Sequence, residues 1–141
     1  MDDRRAILAR LDRLGELVFG REPAVVDELW SDLGFILYGS EAGESAHTRE
    51  ELAHLFEGLY ALPFRIRWRW DDPAVTISRD IAWFISEGQI ELTYPDRMVS
   101  QPYRLAAIFQ KVGGQWKWRL YSGSEPATPP AGYPAITSAA R

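Results

Sequence analysis

No cysteine occurs among the 141 residues of this chain, which removes disulfides and thiolate chemistry together. No apolar run approaches the roughly 20 residues that a helix needs to cross a bilayer. The first residues, MDDRRAILARLDR, carry charge throughout and lack the apolar stretch of a secretory signal. The expectation is a cytoplasmic protein with no membrane partner. Histidine is scarce, being confined to His47 and His54. A metal site usually takes three protein ligands. His54 has Glu50, Glu51 and Glu57 as helical neighbours, but these read as a solvated face, so no metal is expected. Acids are missing from one long stretch, since no Asp or Glu lies between Arg97 and Ser124. Phosphate-binding glycine motifs are also missing, because Gly113-Gly114 sits between strands rather than before a helix. Ser122-Gly123-Ser124 lacks the pattern of a nucleophile elbow and has no His–acid partner. No cofactor is expected. A net charge of −4 and a pI near 5.2 argue against nucleic acid as a partner.

What is present is the composition of a globular protein, 46% hydrophobic and 26% charged. The length suits one domain with a real core. Charge is uneven: residues 1–60 carry 13 acids and 6 basic groups, and residues 61–141 carry 7 and 10. That reads as an acidic helical layer on a mildly basic sheet. Six Trp, six Tyr and six Phe are many for this length. Aromatics line small-molecule pockets, and they also fill cores and interfaces.

Helical spacing of Ile7, Leu8, Leu11, Leu14 and Val18 predicts a helix over residues 3–19. Pro23 favours a first turn and opens a short second helix that turns Val25, Val26, Leu29 and Trp30 inward. Residues 34–38, GFILY, predict a strand, and GSEAGESAH (39–47) a polar loop. Thr48 with Glu51 spells a capping box for a helix reaching Tyr60, with Leu52, Leu55, Phe56 and Leu59 on one side. From Phe64 the chain is β-rich. In FRIRWRW, Arg65, Arg67 and Arg69 face one way and Phe64, Ile66, Trp68 and Trp70 the other. The arginine stripe is expected to pair with Glu87 and Glu91 across strands. Asp71-Asp72-Pro73 reads as a bulge or turn, and Gly88 as a kink within the next strand, 81–94. A long hairpin turning at Gly113-Gly114 closes the chain. Strict alternation along it puts Trp116, Trp118, Leu120 and Ser122 on the cavity face, with Lys117, Arg119 and Tyr121 opposite.

The order α-α-β-α-β-β-β-β predicts an α+β fold in which consecutive strands make a mostly antiparallel sheet. Such a sheet twists and curls. Wrapped around three N-terminal helices, it is strongly curved and leaves a cone-shaped hollow. One domain spans residues 1–126, and residues 127–141 form a Pro/Ala-rich tail.

Three pieces of the chain resemble the nuclear transport factor 2-like superfamily, in particular its SnoaL-like branch. They are Leu29-Trp30-Ser31-Asp32 leading into Gly34 to Glu41, then Arg79 to Phe84, and Arg104 to Pro126. The resemblance implies a cystatin-like cone and commonly a homodimer packed through the convex sheet face. It implies little about activity, since the superfamily holds isomerases, cyclases, dehydratases and non-enzymatic members. Many relatives carry His where this chain has Tyr121. Ketosteroid isomerase, similar from Leu29 to Glu41, uses a carboxylate base with a Tyr and a neutral Asp as donors. The matching positions here are Tyr38 for the base and a residue near Leu14 for the Tyr, while the strand that should supply the second acid is apolar. That acid–base set is absent.

Asp32, Tyr38 and His54 remain as weak catalytic candidates. Asp32 also reads as a turn residue, and His54 as a polar surface residue. The expected ligand pocket comprises Trp30, Tyr38, Phe56, Tyr60, Trp68, Trp83 and Trp118, all turned to one hollow. They either line a cavity for a small apolar or aromatic molecule or simply fill the core. Arg104, opposite Leu105, Ala107 and Phe109 in alternation, is held outside the pocket. The expected function is ligand binding without steroid-isomerase chemistry. The alternative is a cofactor-free cyclase, dehydratase or isomerase acting on a small hydrophobic substrate.

Overall fold

A computed structural model describes residues 2–134 of the chain. Helix α1 (Asp3–Phe19) starts where the Asp2 side chain accepts the Arg5 N–H, a standard N-cap. It buries Ile7, Leu11, Leu14, Leu17 and Val18. Leu17 takes the place expected of Leu8, which only packs against the edge of the core. Helix α2 (Val25–Leu29) buries Val25 and Leu29 and ends at Trp30, whose backbone is extended. Strand β1 (Ile36–Tyr38) follows. The segment expected as a loop contains a two-residue strand, β2 (Ser45–Ala46), antiparallel to β1. Helix α3 (Arg49–Tyr60) begins with the Thr48 Oγ1 accepting the Glu51 N–H at 3.1 Å. The Glu51 carboxylate accepts instead from the His47 N–H at 2.8 Å, one residue before the usual capping-box partner.

Four long strands complete the domain: β3 (Arg65–Ser78), β4 (Ile81–Thr93), β5 (Met98–Val112) and β6 (Gln115–Ser124). The sheet order is β2-β1-β6-β5-β4-β3. Only β1 and β6 run parallel, so the sheet is mixed but mostly antiparallel. The element order gains one strand, β2, over the expected series. Asp71-Asp72-Pro73 is a true irregularity, because the register shifts between Asp71 and Ala74 and Asp72 holds φ at 50°. Gly88 does not interrupt β4. A Cβ there would sit 2.0 Å from the Arg69 carbonyl oxygen, so glycine permits close approach of β3. Gly113 and Gly114, at φ 58° and 78°, make the two-residue turn that suits a twisted hairpin.

Two facing expectations are corrected. On β4 the inward side chains are Ala82, Phe84 and Ser86, and Trp83 is 37% exposed on the outer face. The alternation that turns Ala82, Phe84 and Ser86 inward points Ile81, Trp83 and Ile85 outward. On β6 the β5 register skips a residue: Phe109 pairs with Trp118 and Ile108 with Leu120, leaving Arg119 as the extra residue of a bulge. An inserted residue flips the faces beyond it. Tyr121 therefore turns inward and is buried, although strict alternation put it on the convex face.

The core lies between the helices and the inner face of β3–β6, around Phe84, Phe109 and Trp118. Phe109 and Trp118 stack with centroids 4.5 Å apart. The arginine stripe divides its work. Arg65 donates to the Phe19 carbonyl at 2.8 Å, Arg67 lies 4.0 Å from the Phe19 ring centroid, and Arg69 pairs with Glu91 at 2.9 Å. Glu87 pairs with Arg104 at 2.9 Å. The described part of the tail, past Ser124, holds no helix or strand, and residues 135–141 of the expected tail lie outside the described residues.

Candidate functional site

A cavity of about 170 Å³ opens between the helices and the inner sheet face. Its apolar wall includes Leu14 of α1, Leu29 of α2, Phe56 of α3, Ile66 of β3, and Ile90 and Leu92 of β4. These are the core-facing positions of their elements. Apolar side chains gather there because each amphipathic element turns its stripe to the same hollow.

Trp68, Tyr103 and Tyr121 put polar groups on that wall, and Ser40 and Gln101 line the cavity as well. The Tyr103 and Tyr121 hydroxyls lie 2.6 Å apart, one donating to the other. Tyr103 follows the inward parity of Leu105, Ala107 and Phe109, and Tyr121 arrives through the Arg119 bulge. Gly123 makes room for the pair, because a Cβ there would stand 1.9 Å from the Tyr103 hydroxyl. Burial pushes the Tyr103 phenol up to about 12, although the Tyr121 hydrogen bond pulls the other way and Glu44 adds to the rise. Burial likewise drives Tyr121 well above its ordinary value. Both phenols are therefore protonated at neutral pH. The Trp68 indole lies beside them, with ring centroids of Trp68 and Tyr121 6.2 Å apart. Its N–H slightly lowers both phenols, yet it makes no hydrogen bond of sound geometry to any protein acceptor among the described residues.

Glu41, Glu44 and Glu125 form part of the cavity's rim. Glu44 is held by the β1–β2 turn: its carbonyl accepts the Gly39 N–H at 2.7 Å and its carboxylate the Glu41 N–H at 2.9 Å. Glu41 has a raised pKa, mainly because its carboxyl faces that of Glu125 within hydrogen-bonding range, with repulsion from the same group adding to it. No group of three or more acids, histidines or cysteines among the described residues has the arrangement of a metal site.

Of the seven expected pocket residues, Phe56 and Trp68 line the cavity. Trp118 is fully buried core, its indole N–H donating to Glu28 at 2.9 Å. Tyr60 ties α3 to the turn after α1, its hydroxyl donating to the Glu22 carbonyl at 2.9 Å, and burial raises its pKa to about 12. Trp30 packs against the edge of the core. Tyr38 points away from the hollow, because Leu37 is the buried residue of β1, and bonds His47 Nε2 at 3.0 Å. Trp83 lies on the convex face. The catalytic candidates are not joined by any hydrogen bond. Asp32 is exposed in the turn closed by Gly34 N–H to Ser31 carbonyl, and His54 is exposed on an open groove that adjoins the cavity, sharing Glu44, Leu55, Leu59 and Leu62 with it. Arg104 is exposed.

The residues that sequence reading missed are Tyr103, Tyr121, Glu41, Glu44 and Glu125. Tyr103 had a signal, since it shares parity with Leu105. Tyr121 had none, because the bulge that turns it inward is a matter of cross-strand register.

The family model for the SnoaL-like domain matches residues 7–128. No curated protein matches the chain. Among solved structures, the chain is similar to a candidate dehydratase of the nuclear transport factor 2-like family from Streptomyces avermitilis, at 13% identity and TM-score 0.75, covering 88% of this chain and 96% of that one. It is also similar to a candidate scytalone dehydratase from Novosphingobium aromaticivorans, at 14% identity and TM-score 0.72, covering 94% and 95%. A nuclear transport factor 2-like protein with a cystatin-like fold from the same species aligns at 16% identity and TM-score 0.72, covering 87% and 81%. At such identities these likenesses are likenesses of fold.

Proposed function

The chain belongs to the SnoaL-like domain family, and from that premise we propose that it binds a small apolar or aromatic molecule in the cavity, without steroid-isomerase chemistry. One observation carries the reading: an apolar cavity of about 170 Å³ with a few convergent polar groups on its wall, the usual make-up of a small-molecule site. An engineered apolar cavity of roughly 150 Å³ admits benzene, so a single ring with a short substituent is the right size. Neither Asp32, Tyr38 nor His54 lines the cavity, which supports binding over proton transfer by those groups.

Ethylbenzene is a suitable probe. A ligand that binds only the folded state stabilises it by about 2.7 kcal/mol at one hundred times its Kd. Ethylbenzene should therefore raise the melting temperature of the wild type, and Trp68→Ala should abolish most of that shift. Trp83→Ala should leave it unchanged. A melt indifferent to ethylbenzene, with no quenching of tryptophan fluorescence, would sink the reading.

A second reading, a cofactor-free dehydratase, cyclase or isomerase, is favoured by one feature. Glu125, by hydrogen bonding and charge repulsion, raises the pKa of Glu41 at the cavity rim, the direction a general acid needs. Two structural relatives carry the word dehydratase in their names. Under this reading Glu41→Gln abolishes turnover while leaving ethylbenzene binding intact.

The convex sheet face is assigned to a second copy of the chain. Its middle carries a continuous row across four strands, in which Ile36 pairs with Leu120, Leu120 with Ile108, and Ile108 with Trp83. Ile36, Ile108 and Trp83 are all exposed. An apolar band of this kind on a sheet face is usual for an interaction surface.

A further inference from the structure

We infer that the wall formed by Trp68, Tyr103 and Tyr121 is a hydrogen-bond-donating subsite for a neutral oxygen acceptor. The ligand is then a one-ring molecule bearing a carbonyl or similar oxygen and no negative charge. This rests on the cavity being a ligand site and adds what the ligand must carry.

Tyr103 and Tyr121 are 3% and 4% exposed, and their oxygens are 2.6 Å apart. Each phenol has one hydrogen, and only one of the two can lie between the oxygens. The other has no protein acceptor among the described residues. The Trp68 Nε1–H is buried and, although close enough to both phenol oxygens to lower their pKa, makes no hydrogen bond of sound geometry among the described residues. An indole N–H can only donate. Two donor hydrogens thus meet on one wall of the cavity, contributed by β3, β5 and β6, neither of them in a hydrogen bond of sound geometry to a protein acceptor among the described residues. Buried donors are nearly always paired, so two unpaired ones bordering the same space point to an acceptor that arrives from outside.

Charge narrows the acceptor. Among the described residues no Lys, Arg or His lines the cavity, whereas Glu41, Glu44 and Glu125 form part of its rim. The field of Glu44 reaches both phenols. A carboxylate ligand would pass three acids and meet no counter-charge. A ketone, aldehyde or ester oxygen accepts the same hydrogens without that repulsion. The phenols stay protonated in this setting, so the free phenol hydrogen remains available beside the indole N–H.

The test compares three probes of one shape on the full chain: ethylbenzene, acetophenone and benzoate. The wild type should bind acetophenone at least about tenfold more tightly than ethylbenzene, the effect of roughly one net hydrogen bond. Benzoate should bind more weakly than acetophenone by at least a similar factor. The carbonyl stretch of bound acetophenone should fall below its value in an apolar solvent. The Tyr103→Phe/Tyr121→Phe double variant should lose the preference and the spectral shift. Should that variant not fold, Trp68→Phe, which keeps an aromatic ring and loses the N–H, should weaken the shift. Equal affinity of the wild type for ethylbenzene and acetophenone overturns the subsite while leaving the apolar cavity a ligand site. Preference for benzoate overturns the charge argument and with it the proposal. Failure of all three probes to bind overturns both this inference and the binding reading beneath it.

Discussion

Glu28 shows how much depends on single residues here. Its side chain is 7% exposed and receives Arg10 at 2.9 Å and the Trp118 indole N–H at 2.9 Å. Removing one partner of a buried pair leaves the other charge uncompensated, which costs about 3–5 kcal/mol. Glu28→Ala should lose about that much in urea denaturation, with Glu28→Gln losing less because its amide oxygen can still accept from Trp118. Equal stability of Glu28→Ala and wild type would contradict the network. Gly123 is a second such position. Any Cβ meets the Tyr103 ring and hydroxyl, so Gly123→Ala should destabilise the fold by about 1–3 kcal/mol, the usual cost of overpacking. It should also disturb the phenol pair, which near-ultraviolet circular dichroism of the tyrosines would register.

At the scale of elements, α1 is fastened to the far hairpin by its first turn. Asp3 accepts from the Trp116 indole at 2.9 Å and from Lys111 at 3.0 Å. The Trp116 hydrogen bond, then that of Lys111, lowers the Asp3 pKa. A carboxyl whose folded pKa lies below its unfolded value adds stability that is fully present above the unfolded pKa, about 4. That stability is lost as pH falls through the folded pKa. Asp3→Asn should therefore be less stable than wild type at pH 7, and the difference should shrink below pH 4. Denaturant melts at pH 7 and pH 3 measure it, and a gap that widens in acid would refute the assignment. The β6 bulge acts at the same scale. One extra residue, Arg119, exchanges faces for everything from Leu120 onward, and so brings Tyr121 to the cavity and Leu120 to the convex row.

For the whole molecule, the two faces of one sheet have separate duties. The concave face holds core and cavity. The convex face presents Trp83, Ile108 and Ile36, with Ile85 55% exposed beside them. A homodimer through this face should bury about the standard interface of roughly 1,600 Å². Wild type should sediment as a dimer at micromolar concentration. The Trp83→Glu/Ile108→Glu variant should sediment as a monomer, with its helices and ethylbenzene response retained. A wild type that is monomeric at that concentration would remove the dimer.

The sequence by itself determined the elements, because each local signal was strong and agreed with its neighbours. Asp2 and Thr48 cap their helices, Gly113-Gly114 turns the hairpin, and the period-two pattern of Ile66, Trp68 and Trp70 marks the inner face of β3. It also determined the α+β class, since four consecutive strands after three helices leave few arrangements, and the ordered motifs carried the family. Only the tertiary structure decided the site. Trp83 and Trp118 are equally hydrophobic in sequence, and one is outer surface while the other is core. Tyr121 reads outward by alternation and faces inward by register. Glu41, Glu44 and Glu125 come from a turn and the residue after β6, more than 80 positions apart. Facing and proximity of this kind depend on how strands pair across space, which no single segment encodes.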